Sequence, residues 1–290
     1  MAPKTLQDNK TIKILKDAER EGYGVLAAIV YNVEHIVAMV RAAERKRSPL
    51  ILQVFPWAIT ASDGLLIRAA ADAASRASVP VSVHLDHAQD ETLIRQAADT
   101  LPFDSIMVDM SHYEKAENLS KTEELVQYCH DRGIATEAES GRIEGGEDGV
   151  ADTADLESML TTPDELSEFI ATGVDFLAPA IGNVHGEYGI RGPQLDFKRL
   201  KDIREVAKAK DVRVVLHGTN GFTKDLIHRC IAAGVSKINV NKLILEDYQT
   251  HLETNASKLS LTKLLDEGMA EVQRATEEQM DICMSSGKAP

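Results

Sequence analysis

Eight short apolar runs alternate with helix-type segments along the 290 residues, and that alternation leaves the chain very few architectures. The runs cover 24–32 (GVLAAIVYN), 49–55 (PLILQVF), 79–86 (VPVSVHLD), 105–109 (SIMVD), 134–139 (IATEAE), 175–181 (DFLAPAI), 212–217 (VRVVLH) and 236–241 (SKINVN). Runs this short and this rich in Val, Ile, Leu and Ala suit strands buried on both faces. Between them lie segments with apolar residues at helical spacing. Helices are expected over 5–21, 34–47, 63–78, 90–99, 122–132, 196–210 and 223–234, with another opening at Pro163. The end signals agree: Gly22 and Gly133 sit just past two of these segments, and Ser62 or Asp63 caps a third. Strands alternating with helices build a parallel sheet, and eight such units close into a barrel. The expected fold is therefore α/β, a (β/α)8 TIM barrel with an N-terminal helix and extra C-terminal helices. The helical stretch 243–286 exceeds what the eighth helix needs, so its surplus, 261–284, must pack on the barrel or on a second subunit. No Pro/Ser linker divides the chain, and 1–290 reads as one domain.

Composition excludes several function classes. The net charge of −14 argues against a nucleic-acid partner, which would need a basic face. No apolar run reaches the ~20 residues of a membrane helix, and the N-terminus has no signal-peptide core. Cys129, Cys230 and Cys283 are odd in number and far apart, which fits buried helix positions in a reducing compartment. The expectation is a cytoplasmic protein without nucleic-acid or membrane partners.

The polar residues that break the pattern all fall at strand ends. Asn32 closes the first run, and Asp86 and His87 the third. Asp109 closes the fourth, Glu137 and Glu139 the fifth, His217 the seventh, and Asn239 and Asn241 the eighth, while His185 follows the sixth. Acids and histidines are costly to bury unpaired. A barrel brings its strand ends together, at the face where such folds place their chemistry. Three histidines converging there can hold one metal ion, with carboxylates orienting them or acting as acid and base. Regular strand alternation sets His84 and His87 on opposite faces, so HxxH is a weak metal motif here. His35, His130, His228 and His251 lie on expected helices and read as surface residues; His112 lies in a loop. The loop 140–161, polar and glycine-rich, reads as a solvated turn or as a lid bringing Glu144 or Glu147 to the site.

Several stretches in this order resemble the class II, zinc-dependent fructose-bisphosphate and tagatose-bisphosphate aldolases. They are YNVEHIVAMVRAAERKRSPLILQVF, VPVSVHLDHAQD, SIMVDMSH, TEAESGRIEGGEDGV, TGVDFLAPAIGNVHGEYG, VVLHGTNGF, SKINVN and SSGKA, and they span almost the whole chain. The resemblance implies that His87, His185 and His217 ligate one Zn2+ per chain, and it admits a monovalent cation as well. It implies that Asp86 takes the proton from the C4 hydroxyl and that Glu147 exchanges the proton on the nucleophilic carbon. Asp109 and Glu139 match positions offering the metal an alternative place. Asn32, Gly186, Gly218, Thr219, Asn220, Asn239, Asn241 and Lys242 match substrate-binding positions. The substrate implied is a small sugar phosphate, and the assembly a homodimer or homotetramer. Arg274 resembles a basic residue that completes the phosphate site in relatives.

Several positions depart from the family pattern. HGGSG appears as HGTNG, with Asn220 in place of serine; Lys242 stands where the strand-8 segment usually has threonine; and Phe55 replaces a small polar residue. They leave open an aldolase acting on a different phosphorylated or carboxylated ketose. A metal-dependent barrel hydrolase would want an early HxH strand, but the first run here ends in Tyr31-Asn32. A non-catalytic scaffold would have no use for the set Asp86, His87, His185 and His217.

Overall fold

Every one of the eight apolar runs forms a strand. The computed structural model describes residues 5–146 and 160–290. The strands are β1 (Val25–Ile29), β2 (Leu50–Val54), β3 (Val81–Ala88), β4 (Ser105–Val108), β5 (Ala135–Ser140), β6 (Phe176–Pro179), β7 (Arg213–Leu216) and β8 (Val235–Val240). They pair in parallel in sequence order, and β8 returns to β1 to close the barrel. The expected (β/α)8 TIM barrel is the observed fold.

Helices α1 (Lys10–Glu21), α2 (Val33–Lys46), α3 (Pro56–Ser62), α4 (Leu65–Arg76), α5 (Glu91–Thr100) and α6 (Lys115–His130) lie in the first half. Helices α7 (Pro163–Ala171), α8 (Phe197–Ala209), α9 (Lys224–Ala232), α10 (Lys242–Asn255) and α11 (Leu261–Ile282) follow. Among the described residues no helix is long and apolar enough to cross a membrane.

Some boundaries differ from expectation for local reasons. The helix expected from residue 5 starts only at Lys10, after a short 3-10 turn at Leu6–Asp8. Asn9 breaks it: its side chain caps α1 through the Ile12 N–H and donates to the carbonyls of Asp104 (2.6 Å) and Gly133 (3.0 Å). The helix expected over 63–78 is α4, and an unexpected short helix, α3, precedes it; Asp63 and Gly64, both in left-handed backbone (φ 47° and 72°), divide the two. Helix α6 begins seven residues before the expected 122, and 243–286 breaks into α10 and α11.

Two apolar layers surround the barrel wall. The larger lies between strands and outer helices. The smaller sits inside the barrel at its N-terminal end, where Ile14, Leu15 and Ala18 of α1 meet Val25, Ala27, Ile51, Ala135, Phe176 and Val215. Helix α1 thus plugs the bottom of the barrel. The surplus helix α11 packs on its own barrel, burying Leu264, Val272, Ala275 and Met280. Its trailing residues are tied to the chain by Gly24 N–H to Cys283 O (2.9 Å), Gly287 N–H to Lys46 O (2.8 Å) and Ala289 N–H to Arg47 O (2.8 Å). Cys129, Cys230 and Cys283 are all buried, as expected.

The surface reading of the helical histidines is overturned at His35, which is 1 % exposed. Its ring packs edge-on against Tyr248 (4.7 Å), and burial pushes its pKa down to about 4. His130, His228 and His251 are half-buried. His130 pairs with Asp175 (2.9 Å).

Leu15 is fully buried in the plug. Leu15→Ala should therefore cost about 2–5 kcal/mol, read from the urea unfolding midpoint. A change within error of zero would show that α1 does not close the barrel floor.

Candidate active site

Adjacent residues on a regular strand face opposite sides, so Asp86 and His87 could not both point into one site. Strand β3 solves this with a bulge. Against β4, Leu85 pairs with Ile106 and Ala88 with Val108, so Asp86 and His87 together oppose the single residue Met107. His87 takes left-handed backbone (φ 46°), and both side chains reach the C-terminal mouth of the barrel.

There His87 meets His185, from the loop after β6, and His217, at the end of β7. One ligand atom from each lies within 4.8 Å of the others. His217 Nδ1 is 3.1 Å from His87 Nε2 and 3.4 Å from His185 Nε2. The outer nitrogens of two of these rings are taken by carboxylates: His87 Nδ1 by Asp109 (2.8 Å) and His217 Nε2 by Glu137 (2.8 Å). With the outer nitrogens so engaged, the inner nitrogens His87 Nε2, His185 Nε2 and His217 Nδ1 are turned toward one another. Such a set calls for a cation or a proton at its centre, and imidazole rings held by carboxylates are a metal-binding arrangement. The donor set fits a zinc-type ion. A second group, His87 with Asp109 and Glu139, could also hold an ion. A third set with that potential is His84, Asp86 and Glu137.

The electrostatics follow from burial among charges. Burial disfavours the charged His87, yet Asp86, Asp109 and Glu139 outweigh it and hold its pKa up at about 10. Among the described residues no carboxylate hydrogen-bonds the His185 ring, and burial beside His87 and His217 drives it well below the usual range. Burial and the Asp109 charge push Glu139 up to about 8. For Asp86, burial favours the neutral acid, but the His87 charge, the His84 hydrogen bond and Lys237 prevail and hold it ionised. Its oxygens accept from Gln53 Nε2 (3.2 Å) and Asn239 Nδ2 (3.2 and 3.3 Å).

Below the histidines lies a layer of charge that the sequence reading left without a role. Lys237 and Glu137 are fully buried inside the barrel and paired at 2.8 Å. Lys237 Nζ also lies 3.5 Å from His84 Nε2, and His84 Nδ1 is 2.8 Å from Ser105 Oγ. Ser105 Oγ in turn bonds Thr11 on α1 (3.0 Å). The signal was present: Lys237 alternates with Asn239, and Glu137 with Glu139, so each pair shares the inward face. His84 is a hydrogen-bonded interior residue.

A cavity of about 250 Å³ opens above the histidines. Gly186, Gly218, Thr219, Asn220, Asn239, Asn241 and Lys242 line it, together with Asp86 and the three histidines. Tyr31, Phe55 and Glu187 line it too; Tyr31 and Glu187 were not anticipated. Gly218 is required by geometry. Its φ is +67°, and a Cβ there would lie 2.2 Å from the Val184 carbonyl oxygen.

Other expected site residues lie elsewhere. Asn32 does not line the cavity; its side chain caps α2 through the His35 N–H (2.8 Å) and donates to Tyr248 Oη (3.1 Å). Arg274, on α11, pairs with Asp247 and Glu271 of its own chain. Glu147 lies outside the described residues. Glu144 is exposed, and its carbonyl accepts the His185 N–H (2.8 Å).

Fold and site together define a (β/α)8 barrel enzyme with a histidine–carboxylate centre at its C-terminal mouth. A sequence model of the family "Fructose-bisphosphate aldolase class-II" matches residues 9–288. A Coccidioides immitis protein named "Putative fructose-bisphosphate aldolase" is 52 % identical over 292 residues, 98 % of this chain and 96 % of that protein. A crystal structure described as that of "a putative fructose-1,6-biphosphate aldolase from Coccidioides immitis" superposes with a TM-score of 0.95 at 52 % identity, over 97 % of this chain and 98 % of that one. The fructose-bisphosphate aldolase of Streptococcus pneumoniae serotype 4 is 32 % identical over 96 % of this chain and 98 % of its own. The YdjI aldolase of Escherichia coli K12 is 30 % identical with a TM-score of 0.85, over 97 % of this chain and 98 % of its own. The chain belongs to the class II fructose-bisphosphate aldolase family and is a lyase.

The buried pair makes a stability prediction. Lys237→Met leaves the Glu137 charge uncompensated and should cost about 3–5 kcal/mol, measured by urea unfolding at neutral pH. Adding Glu137→Gln should recover most of that loss. Burial opposes the Glu137 carboxylate, but Lys237 and His217 hold its pKa down at about 2. Its stabilisation is therefore full above the ordinary carboxylate range and fades only as pH falls toward that value. An unchanged midpoint for Lys237→Met would contradict the pairing.

Proposed function

We propose that this protein is a metal-dependent aldolase that cleaves or forms a carbon–carbon bond in a ketose bisphosphate such as fructose 1,6-bisphosphate. The observation that carries this reading is the convergence of three histidine nitrogens within 4.8 Å, two of the rings braced by carboxylates. In this reading His87, His185 and His217 hold one Zn2+ per chain, and Asp109 and Glu139, with His87, offer it a second position. Bound there, the ion supplies Lewis-acid stabilisation of the enediolate left when the bond breaks.

The chain's own residues do the rest. Asp86 is an ionised carboxylate beside the histidines, aimed by the amides of Gln53 and Asn239. It serves as the base that takes the C4 hydroxyl proton in the cleavage direction. Family resemblance assigns proton exchange at the nucleophilic carbon to Glu147. Gly186, Gly218, Thr219, Asn220, Asn241 and Lys242 surround the substrate's anionic end, with Gly218 letting the backbone approach closely. A cytoplasmic homodimer or homotetramer completes the reading.

A second reading keeps the chemistry and changes the substrate to another phosphorylated or carboxylated ketose. It is favoured by Asn220 and Lys242, which stand where the family pattern has serine and threonine.

The deciding experiment is a coupled cleavage assay with fructose 1,6-bisphosphate, with and without EDTA, beside elemental analysis. We expect turnover that EDTA abolishes and zinc restores, with about one zinc per chain. Bound zinc without turnover would shift the choice to the second reading. Absence of any bound metal would overturn both. His217→Ala should lose most of the zinc and all activity, and wild-type activity would remove His217 from the ligand set. Asp86→Ala should keep the zinc and lose cleavage by at least about 100-fold, the scale of general-base catalysis; metal loss would instead make Asp86 a ligand.

A further inference from the structure

Lys242 is the single lysine or arginine among the described residues lining the cavity. Its ammonium is already engaged by the carboxylate Oε1 of Glu187, and the same oxygen accepts from Asn220 Nδ2 at 3.0 Å. Two departures from the family's phosphate pattern, Asn220 and Lys242, thus converge on one carboxylate oxygen. A carboxylate oxygen sitting on an ammonium and an amide N–H is what an anionic substrate group would present to the same donors.

The surroundings fix where Glu187 starts but leave its side chain free to move. The residue lies between Gly186, at φ +93°, and Tyr188, whose hydroxyl donates to the Gly218 carbonyl (2.7 Å) and accepts the Val184 N–H (3.0 Å). His185 of the three-histidine set is two residues away. The backbone is therefore anchored at the site, while the Glu187 side chain is 71 % exposed and Lys242 52 % exposed. Exposed ion pairs are weak, so the carboxylate exchanges readily for a better anion.

We propose that Glu187 is a specificity-determining residue: an internal anion on the Asn220–Lys242 donor pair that the anionic end of the substrate must displace. The proposal rests on the preceding reading that Asn220 and Lys242 receive that end. A substrate carboxylate brings one charge, as Glu187 does, and gains little by the exchange. A phosphate monoester brings close to two charges and three acceptor oxygens, so it takes the donors from Glu187. The internal carboxylate therefore sets a threshold that a phosphate passes and a single carboxylate does not. The two family departures then retain phosphate recognition.

The test is calorimetric titration of the zinc-loaded enzyme with inorganic phosphate, which needs no turnover. Glu187→Gln keeps the shape and removes the competing charge, so phosphate should bind roughly fivefold tighter or better, the scale of one like charge removed at contact distance in water. In a Lys242→Met background the same substitution should give a clearly smaller gain, because only Asn220 is left to contest. Phosphate affinity that is unchanged or weaker in Glu187→Gln would overturn the proposal, and so would an equal gain without Lys242. No measurable binding to either protein would overturn it as well. Steady-state kinetics with fructose 1,6-bisphosphate provide the second arm, where KM should fall with the phosphate dissociation constant. If the wild-type enzyme fails to turn over that substrate while phosphate tightens as stated, the substrate reading falls and the role of Glu187 stands.

Discussion

The site depends on one backbone constraint. A strand alternates its side chains, yet this site needs two neighbours, Asp86 and His87, on the same side. The extra residue in β3 and the left-handed backbone at His87 provide that, placing a carboxylate and an imidazole next to each other at the barrel mouth. A left-handed conformation is unfavourable for a residue with a Cβ. Here it is held by what surrounds it: Asp109 on the ring nitrogen, β4 pairing on either side of the bulge, and His217 across the barrel. Strain at a functional position is stable only where the surroundings over-determine it.

A second constraint comes from charge. The interior of the barrel is apolar only at its lower end, where α1 plugs it. Higher up the inward positions carry Gln53, His84, Glu137 and Lys237, all fully buried. Groups like these are tolerable in a low-dielectric interior only if they satisfy one another. Glu137 illustrates the coupling, since one oxygen binds Lys237 and the other His217. The ion pair that neutralises the core also orients a ring of the three-histidine set. From Thr11 through Ser105 and His84 the same network reaches down to the N-terminal helix. The floor of the barrel and its mouth are thus parts of one polar structure.

Much of the site was legible because polar residues stand out against strands that are otherwise buried. His87, His185, His217, Asp86, Asp109 and Glu139 announce themselves at strand ends, and the structure brings all six together. Asn32 shows where that logic fails: it too ends an apolar run, but its side chain caps α2. A strand-end asparagine serves a helix or a ligand, and composition does not separate the two. His35 fails in the opposite direction. It looked like a surface helical residue, but Tyr248, over two hundred residues away in sequence, covers it. Glu187 gave no signal, because an exposed acid in a glycine-rich loop resembles any solvated turn.

The sequence by itself determined the order of elements, the parallel closed barrel and the identity of most polar groups at its mouth. Those follow from period, run length and the cost of burying an acid or an imidazole, all of which are local or additive. Only the tertiary structure decided which ring nitrogen faces which partner, that β3 bulges so Asp86 and His87 share a side, and that Lys237 neutralises Glu137. It also decided that the chain's own carboxylate rests on Asn220 and Lys242. These outcomes depend on pairwise distances between residues far apart in the chain. Electrostatic and hydrogen-bond energies change steeply over an ångström, and closing the barrel is what sets those distances.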